Sequence, residues 1–328
     1  MKLSLAKHRK KWILTSMALP GAIWLLLLRY LPMFGVGLAF QRNTVYTPSK
    51  AETQTFLGKI LFPNGNASFF GNFFKSEWVG FKNFKFLFAS TESARMIRNT
   101  LVYNSVFIVL GLLVGVTFAL MINEITKKRI AKRYQTLMFF PFFISWIVVC
   151  YFVSAFLAPN DGLLVQIQKG IGMTPHDWYN TPTWWPLILV ISNLWKYTGY
   201  SCILYLAAMA GIDAAQYESA AIDGATKFQQ ILYITLPNIK SMIIILLIMN
   251  VGRIFNADFG LFYSVPRQAG PLLPVTEVID TYVYRVYQQM RNTGMSSAAG
   301  LLQNVVGFIC IMLANTIVRK ADPDSALF

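Results

Sequence analysis

Charge is scarce in this chain, and acid is the scarcest part of it. Charged residues fill 13% of the 328 positions, with 14 acidic against 29 basic, where soluble domains carry about 25% charged residues. The two histidines, His8 and His176, stand far apart, which excludes a histidine-based catalytic or metal cluster. The three cysteines, Cys150, Cys202 and Cys310, all fall inside apolar runs. Thiols there behave as small hydrophobes, so neither a disulfide nor a metal site is indicated. The chain has no G-x-x-x-x-G-K-[S/T] run and cannot cradle nucleotide phosphates in that manner. Low-complexity tracts and internal repeats are absent as well. What is abundant is apolar: 55% hydrophobic and 15% aromatic residues describe a polytopic membrane protein, all-α, built as a helix bundle.

Six apolar stretches are long enough to cross a hydrocarbon core that takes about 20 helical residues. They lie near Trp12–Ala39, Ile97–Ile122, Tyr134–Leu157, Trp184–Met209, Ile239–Phe262 and Ala298–Val318. The first follows a basic start, residues 1–11, but is too long for a signal peptide and lacks a small-residue cleavage site, so it reads as a retained span. Lys2, Lys7, Arg9, Lys10 and Lys11 precede it; Lys127, Lys128, Arg129, Lys132 and Arg133 crowd the second connection; Arg319 and Lys320 follow the last span. Positive charge favours the cytoplasm. The expected topology therefore has residues 1–11 and 319–328 cytoplasmic, flanking a transmembrane domain over 12–318 in the cell membrane. The 41–96 and 263–297 connections lie outside. The net charge of +15 reads as this topology signal and as attraction to anionic membrane lipid, not as nucleic-acid binding. Within the 41–96 loop, Glu77-Trp78-Val79-Gly80-Phe81-Lys82-Asn83-Phe84 alternates aromatic and polar residues. It suits either a structured cap over the bundle or a contact surface for an external partner.

The most informative connection is the fourth, residues 211–237. Asp213 suits the N-cap of a short helix starting at Ala214, because its carboxylate can accept from free first-turn amides. Alanines keep that helix slim, and Glu218 is the only charge on its body. Asp223-Gly224 ends it, Gly being the residue that tolerates a left-handed turn. Phe228, Ile231, Leu232 and Ile234 then recur at helical spacing, enough to pack a second helix onto the bundle, and Pro237 suits the first turn of the next span. An interfacial helix lying on lipid would favour Lys and Arg on its polar face; this one is acidic and Ala-rich, which favours docking to a protein.

Glu218-Ser219-Ala220-Ala221-x-Asp223-Gly224-Ala225, followed by Ile234-x-Leu236-Pro237, resembles the EAA loop of permease subunits of binding-protein-dependent ABC importers. Trp78-Val79-Gly80-x-x-Asn83-Phe84, Arg98-Asn99-Thr100, Leu194-Trp195-Lys196 and Thr281-Tyr282-Val283-Tyr284-Arg285 are similar to the carbohydrate-uptake branch, and within it to oligo- and polysaccharide permeases of the maltose and alginate types. Ser219 replaces the usual Ala and is small enough to preserve docking. The resemblance implies a non-catalytic subunit that forms half of a translocation pathway. It implies a second EAA-loop permease, two copies of a cytoplasmic ATPase that bind ATP and Mg, and an extracytoplasmic sugar-binding protein. The loop would insert into the ATPase through Glu218, Ser219, Ala220, Ala221, Asp223, Gly224, Ala225, Leu236 and Pro237. This chain itself needs no cofactor.

Ionisable and amide groups inside spans mark candidate path residues. Asn193, Lys196, Tyr197 and Tyr200 form a polar-aromatic stripe on the fourth span. Arg253 sits near the middle of the fifth with Asn250 and Asn256 one turn either side, and Gln303 and Asn304 lie in the sixth. Amides and Tyr hydroxyls pair with sugar hydroxyls, and aromatic faces stack on pyranose rings. The alternative is that the same groups bond between helices and hold the bundle together. For the amides the two readings stand level; for Lys196 a structural pairing is favoured. Two cations without acidic partners lean toward an acidic sugar such as an alginate oligosaccharide. The rival reading is an ion-coupled secondary sugar transporter, which would normally need a carboxylate within the spans. Here only Asp258 comes close, at the outer end of the fifth.

Overall fold

The computed structural model describes residues 16–42, 55, 73, 76–89, 91–290, 292–323 and 326–327; the basic start and most of 43–75 lie outside them. The described residues are almost entirely helical, with one isolated bridge between Gln41 and Trp78. We label α1 Ser16–Phe40, α2 Thr91–Asn123, α3 Lys128–Phe139, α4 Trp146–Leu157, α5 Leu163–Gly170, α6 Trp185–Met209, α7 Ala214–Ile222, α8 Lys227–Val251, α9 Phe259–Ser264, α10 Ile279–Met290 and α11 Thr293–Ala321. Among the described residues, five helices (α1, α2, α6 with the turn before it, α8 and α11) are long and apolar enough to cross a membrane. The pair Lys128–Phe143 and Trp146–Leu157, bent by 98°, makes a sixth if taken as one broken span. The chain is a multi-pass helical bundle.

Two compact units divide it, 1–89 with 286–302, and 90–285 with 303–328. In the first, Phe40 at the end of α1 meets Phe81 and Phe84 at 5.5 Å each and stacks near Trp78. Asn83 donates to the carbonyls of Ala39 and Gln41, and Arg42 pairs with Glu77 at 2.9 Å. The aromatic alternation around residue 80 thus builds a structured turn on the end of the first span.

The second unit has two apolar cores. Tyr103, Val149, Trp185, Leu189, Leu261, Phe262, Val265, Leu272 and Val278 form one, on the side that carries the 158–183 connection. Val116, Ala119, Ile122, Cys202, Tyr205, Met209 and Ile239 form the other, on the side that carries α7. Glycine sets the approach of α6 to α3. A Cβ on Gly199 would lie 1.9 Å from the Met138 carbonyl oxygen, so only glycine fits.

Two expected spans differ from straight helices, each for an identifiable reason. The third, expected over Tyr134–Leu157, is broken because Pro141 opens a 3-10 turn over Phe140–Phe143 and Ser145 caps a new helix by accepting from Val148 N. The fifth, expected over Ile239–Phe262, stops at Val251. The next six residues run in successive turns, and a fresh helix begins when Asp258 caps Leu261 N. Irregular backbone inside a bundle persists only where other groups satisfy it. Here Asn104 donates to the carbonyls of Ile254 and Asn256, Gln303 donates to that of Phe255, and Asp280 accepts from Ala257 N. Burial pushes the Asp280 carboxyl up from the usual range, opposed by the Ala257 and Gln303 donors.

Candidate translocation and coupling sites

The second unit holds a cavity of about 660 Å³, within the usual range of a ligand site. Its walls come from α2 (Asn104 to Leu112), α6 (Asn193 to Tyr205) and the stretch from Leu246 to Asp258. Asn193, Tyr197, Tyr200, Asn250, Arg253 and Asn256 all line it. Phe142 joins them from the broken third span, stacked on Tyr200 with ring centroids 4.8 Å apart and planes 13° from parallel. Arg253 and Asp258 are the charged lining residues. Among the described residues Arg253 makes neither a salt bridge nor a side-chain hydrogen bond. It stands in the turn after α8, not mid-helix as the sequence spacing suggested, because the helix has already ended.

Lys196, Gln303 and Asn304 do not line the cavity. Lys196 is buried and turned into the break of the third span. Its ammonium donates to the carbonyls of Pro141, Phe142 and Ile144, and it lies 5.3 Å from the Trp146 ring centroid and 5.9 Å from that of Tyr197. An ammonium has three donors, and three carbonyls at the break take them. Gln303 is likewise buried and holds the Phe255 carbonyl and the Asp280 carboxylate. Asn304 is exposed on α11.

Sequence reasoning passed over Asn104, Trp146 and, in this role, Asp258. Asp258 also has partners: Oδ2 accepts from Trp146 Nε1 at 2.7 Å and from the Tyr197 hydroxyl at 2.6 Å. The two cations are therefore not equivalent. Lys196 is spent on backbone carbonyls beside the Asp258 network, whereas Arg253 is free at the cavity wall.

At the other end of the unit, Asp213 accepts from Ala215 N and begins α7, and Gly224 follows its end at φ +77°. Thr226 and Gln229 form a reciprocal capping box that starts α8. The second helix and the fifth span are thus one continuous segment, Lys227–Val251, with a π turn over Ile231–Thr235 that ends one residue short of Pro237. That placement follows from proline, whose missing N–H and ring disturb the preceding turn. The segment is held by Gln230 and Thr235, both buried. The apolar packing expected of Phe228 and Leu232 is absent: both are exposed, Phe228 at 73%. The Tyr217 and Thr235 hydroxyls bond at 2.9 Å, and Asn238 donates to Gln216, so α7 is tied across α8. Between them lies a groove lined by Ala220, Asp223, Gly224, Ala225, Gln229, Gln230, Tyr233 and Ile234. Glu218, Ser219 and Ala221 are exposed on α7 beside it, while Leu236 is half-buried and Pro237 exposed on α8.

The family described as "Binding-protein-dependent transport system inner membrane component" matches residues 108–321, a stretch that contains the broken spans, the groove and most of the cavity wall. The chain belongs to that family. This inner membrane component is 34% identical over 319 residues to Protein LplB of Bacillus subtilis (strain 168), covering 97% of the chain and 92% of that protein. It is 32% identical to the polygalacturonan/rhamnogalacturonan transport system permease protein YteP of the same organism, over 93% of the chain and 87% of that protein. Its fold is similar to that of a chain in the crystal structure of a bacterial ABC transporter involved in the import of the acidic polysaccharide alginate. The TM-score is 0.80 at 32% identity, covering 98% of this chain and 100% of that one. A chain from the bacterial alginate ABC transporter in complex with alginate pentasaccharide-bound periplasmic protein matches with a TM-score of 0.79 at 32% identity, over 96% and 97%.

Proposed function

We propose that the chain is the permease subunit of an ATP-driven importer of acidic oligosaccharides, and that the 660 Å³ cavity is its half of the translocation path. The observation that carries the substrate class is Arg253, an unpaired guanidinium on a wall whose other charged group, Asp258, is already hydrogen-bonded to Trp146 and Tyr197. Arg offers a planar fork of donors that matches a carboxylate. Asn193, Asn250 and Asn256 supply donors and acceptors for sugar hydroxyls, and the Phe142–Tyr200 stack supplies an aromatic face. The relatives named for polygalacturonan/rhamnogalacturonan transport and for alginate import support the same class. A second permease completes the path, and an external binding protein delivers the sugar.

In this reading the α7–α8 groove docks to a cytoplasmic ATPase, two copies of which bind ATP and Mg and drive the cycle. Exposed Ile222, Phe228 and Tyr233 around the groove offer apolar contact, and Glu218 offers charge. The proposal has the 211–237 segment and both termini in the cytoplasm.

Uptake by the reconstituted transporter tests the substrate class. Arg253→Met should cut uptake of a uronate oligosaccharide about tenfold or more while complex yield stays at the parent level. Equal loss for a neutral oligosaccharide of the same length would refute charge recognition. Uptake that survives ATP depletion but collapses with ion gradients would replace the importer with an ion-coupled carrier.

A further inference from the structure

Asp258 is unexplained by the substrate reading. A carboxylate on the wall of a path for acidic sugars repels the cargo, unless its charge is committed elsewhere. It is committed: one oxygen, Oδ2, receives both Trp146 Nε1 and the Tyr197 hydroxyl, and Oδ1 caps Leu261 N. Hydrogen bonds to an ionised acceptor are about twice as strong as neutral ones, and all three donors come from different elements.

Those elements are not arbitrary. Trp146 opens α4, the segment beyond the break of the third span; Leu261 belongs to α9, beyond the break of the fifth; Tyr197 stands on the unbroken α6. Gly260 reinforces the junction, since a Cβ there would lie 2.3 Å from Trp146 Cδ1 and the turn could not close on the indole. Immediately beyond Asp258 lies the apolar core of Val149, Trp185, Leu189, Leu261 and Phe262, which fills the side of the unit away from α7. Asp258 and Tyr197 themselves line the cavity. The carboxylate therefore sits where the cavity meets the packed core that separates it from the side carrying the 158–183 connection.

We infer that Asp258 is a positioning residue that latches this side of the path, one oxygen holding the outer segments α4 and α9 against α6. Substrate exchange on this side requires Trp146 or Tyr197 to release that oxygen. Lys196 keeps the latch in register from behind, because it fixes the Ile144 carbonyl two residues before Trp146 and lies against both aromatic rings. Loss of the Tyr197 hydroxyl weakens the closed arrangement while the ring itself stays packed; Trp146→Phe removes the other donor together with part of the indole's contact with the core.

The inference rests on the ATP-driven reading above, and the two fail separately. The assay is ATP hydrolysis by the complete transporter in nanodiscs, with and without its binding protein. Stimulation of the parent by the binding protein tests the importer reading. The latch is tested by the unstimulated rate in Tyr197→Phe and Trp146→Phe, relative to the parent. Each should raise the unstimulated rate about tenfold, the factor that about 1.4 kcal/mol represents, and lower the stimulation ratio accordingly. Asp258→Asn, which loses the charge, should do the same, and Asp258→Glu should restore part of the ratio. A purely structural role would lower complex yield and thermal midpoint but leave the ratio of unstimulated to stimulated hydrolysis unchanged. Parent-like unstimulated rates in Tyr197→Phe and Trp146→Phe, at any yield that permits assay, overturn the latch. No sugar is present in the unstimulated measurement, so its outcome is independent of the substrate class.

Discussion

Replacing Lys196 by methionine separates a residue that contacts cargo from one that holds the bundle. Methionine keeps the length and packs adaptably, so the contact with Trp146 survives and only the ammonium is lost. Of the three carbonyls it serves, Pro141 retains the Ile144 amide at 3.1 Å; those of Phe142 and Ile144 lose their donor. A buried polar group left without a partner costs about 1–3 kcal/mol, so two of them should destabilise the break by roughly 2–6 kcal/mol. That is a large share of a folded protein's net stability of about 5–15 kcal/mol. The expected outcome is a sharp fall in assembled complex and in its thermal midpoint, with the surviving fraction transporting at close to the parent rate per complex. Lys196→Arg retains donors for the same carbonyls and should recover part of the yield. Yield, midpoint and uptake are measured on one preparation. Parent-like yield and midpoint in Lys196→Met, combined with lost uptake, would refute the capping role and return Lys196 to the path.

Gly224→Asp and Glu218→Lys should each abolish binding-protein-stimulated ATP hydrolysis while the chain stays inserted. The first forces a side chain into φ +77°, at about 1 kcal/mol of strain, and the second reverses the charge of the exposed helix; hydrolysis at parent level refutes the docking role. Gly199→Ala should abolish assembly, because its Cβ would collide with the Met138 carbonyl. Gly111→Ala, with open space around it, should be neutral or stabilise by up to about 1 kcal/mol. Thermal midpoints compare the two directly. In a Cys-free background, a cysteine at position 218 should label with an impermeant reagent only after the cytoplasmic face is exposed; labelling of intact cells would overturn the orientation.

What could be read from the sequence was local. The start of α7 was legible because Asp213 bonds two residues ahead, and its end because Gly224 is the residue that takes a positive φ. Pro141 announced a kink, though a bend of 98° depends on what receives the freed carbonyls, and that donor lies 55 residues away in Lys196. The fifth span misled for the same reason. Residues 252–262 carry enough Ile, Phe and Leu to extend the apolar run, yet the helix stops at Val251. Amides and a carboxylate distant in sequence, Asn104, Gln303 and Asp280, are in place to satisfy the turns. Gln303 then served a carbonyl, not the cavity. Periodicity put Lys196 on one stripe with Tyr197 and Tyr200. Its wheel position is offset enough, however, for the break in the neighbouring span to capture it. Asp258 looked like a lone acid near a span end, and its two aromatic partners, 112 and 61 residues distant, give no signal in the chain.

The continuity of α8 gives the groove and the cavity a common member, irregular only at the π turn over Ile231–Thr235. Its 25 residues span about 37 Å at 1.5 Å each, with Tyr233 of the groove near one end and Asn250 of the cavity wall at the other. A flexible joint between the two would absorb small displacements; a helix whose one irregular turn stays continuous with the segments on either side passes them on. Tilted by about 10° around its middle, a rod of that length sweeps each tip through about 3 Å. That is comparable to the thickness of a sugar ring's van der Waals contact and larger than any hydrogen bond can stretch. The helix is in this sense a lever with its fulcrum in the core around Ile239. Its working end is Asn250, at the point where the backbone stops being helical and Arg253 begins a different direction.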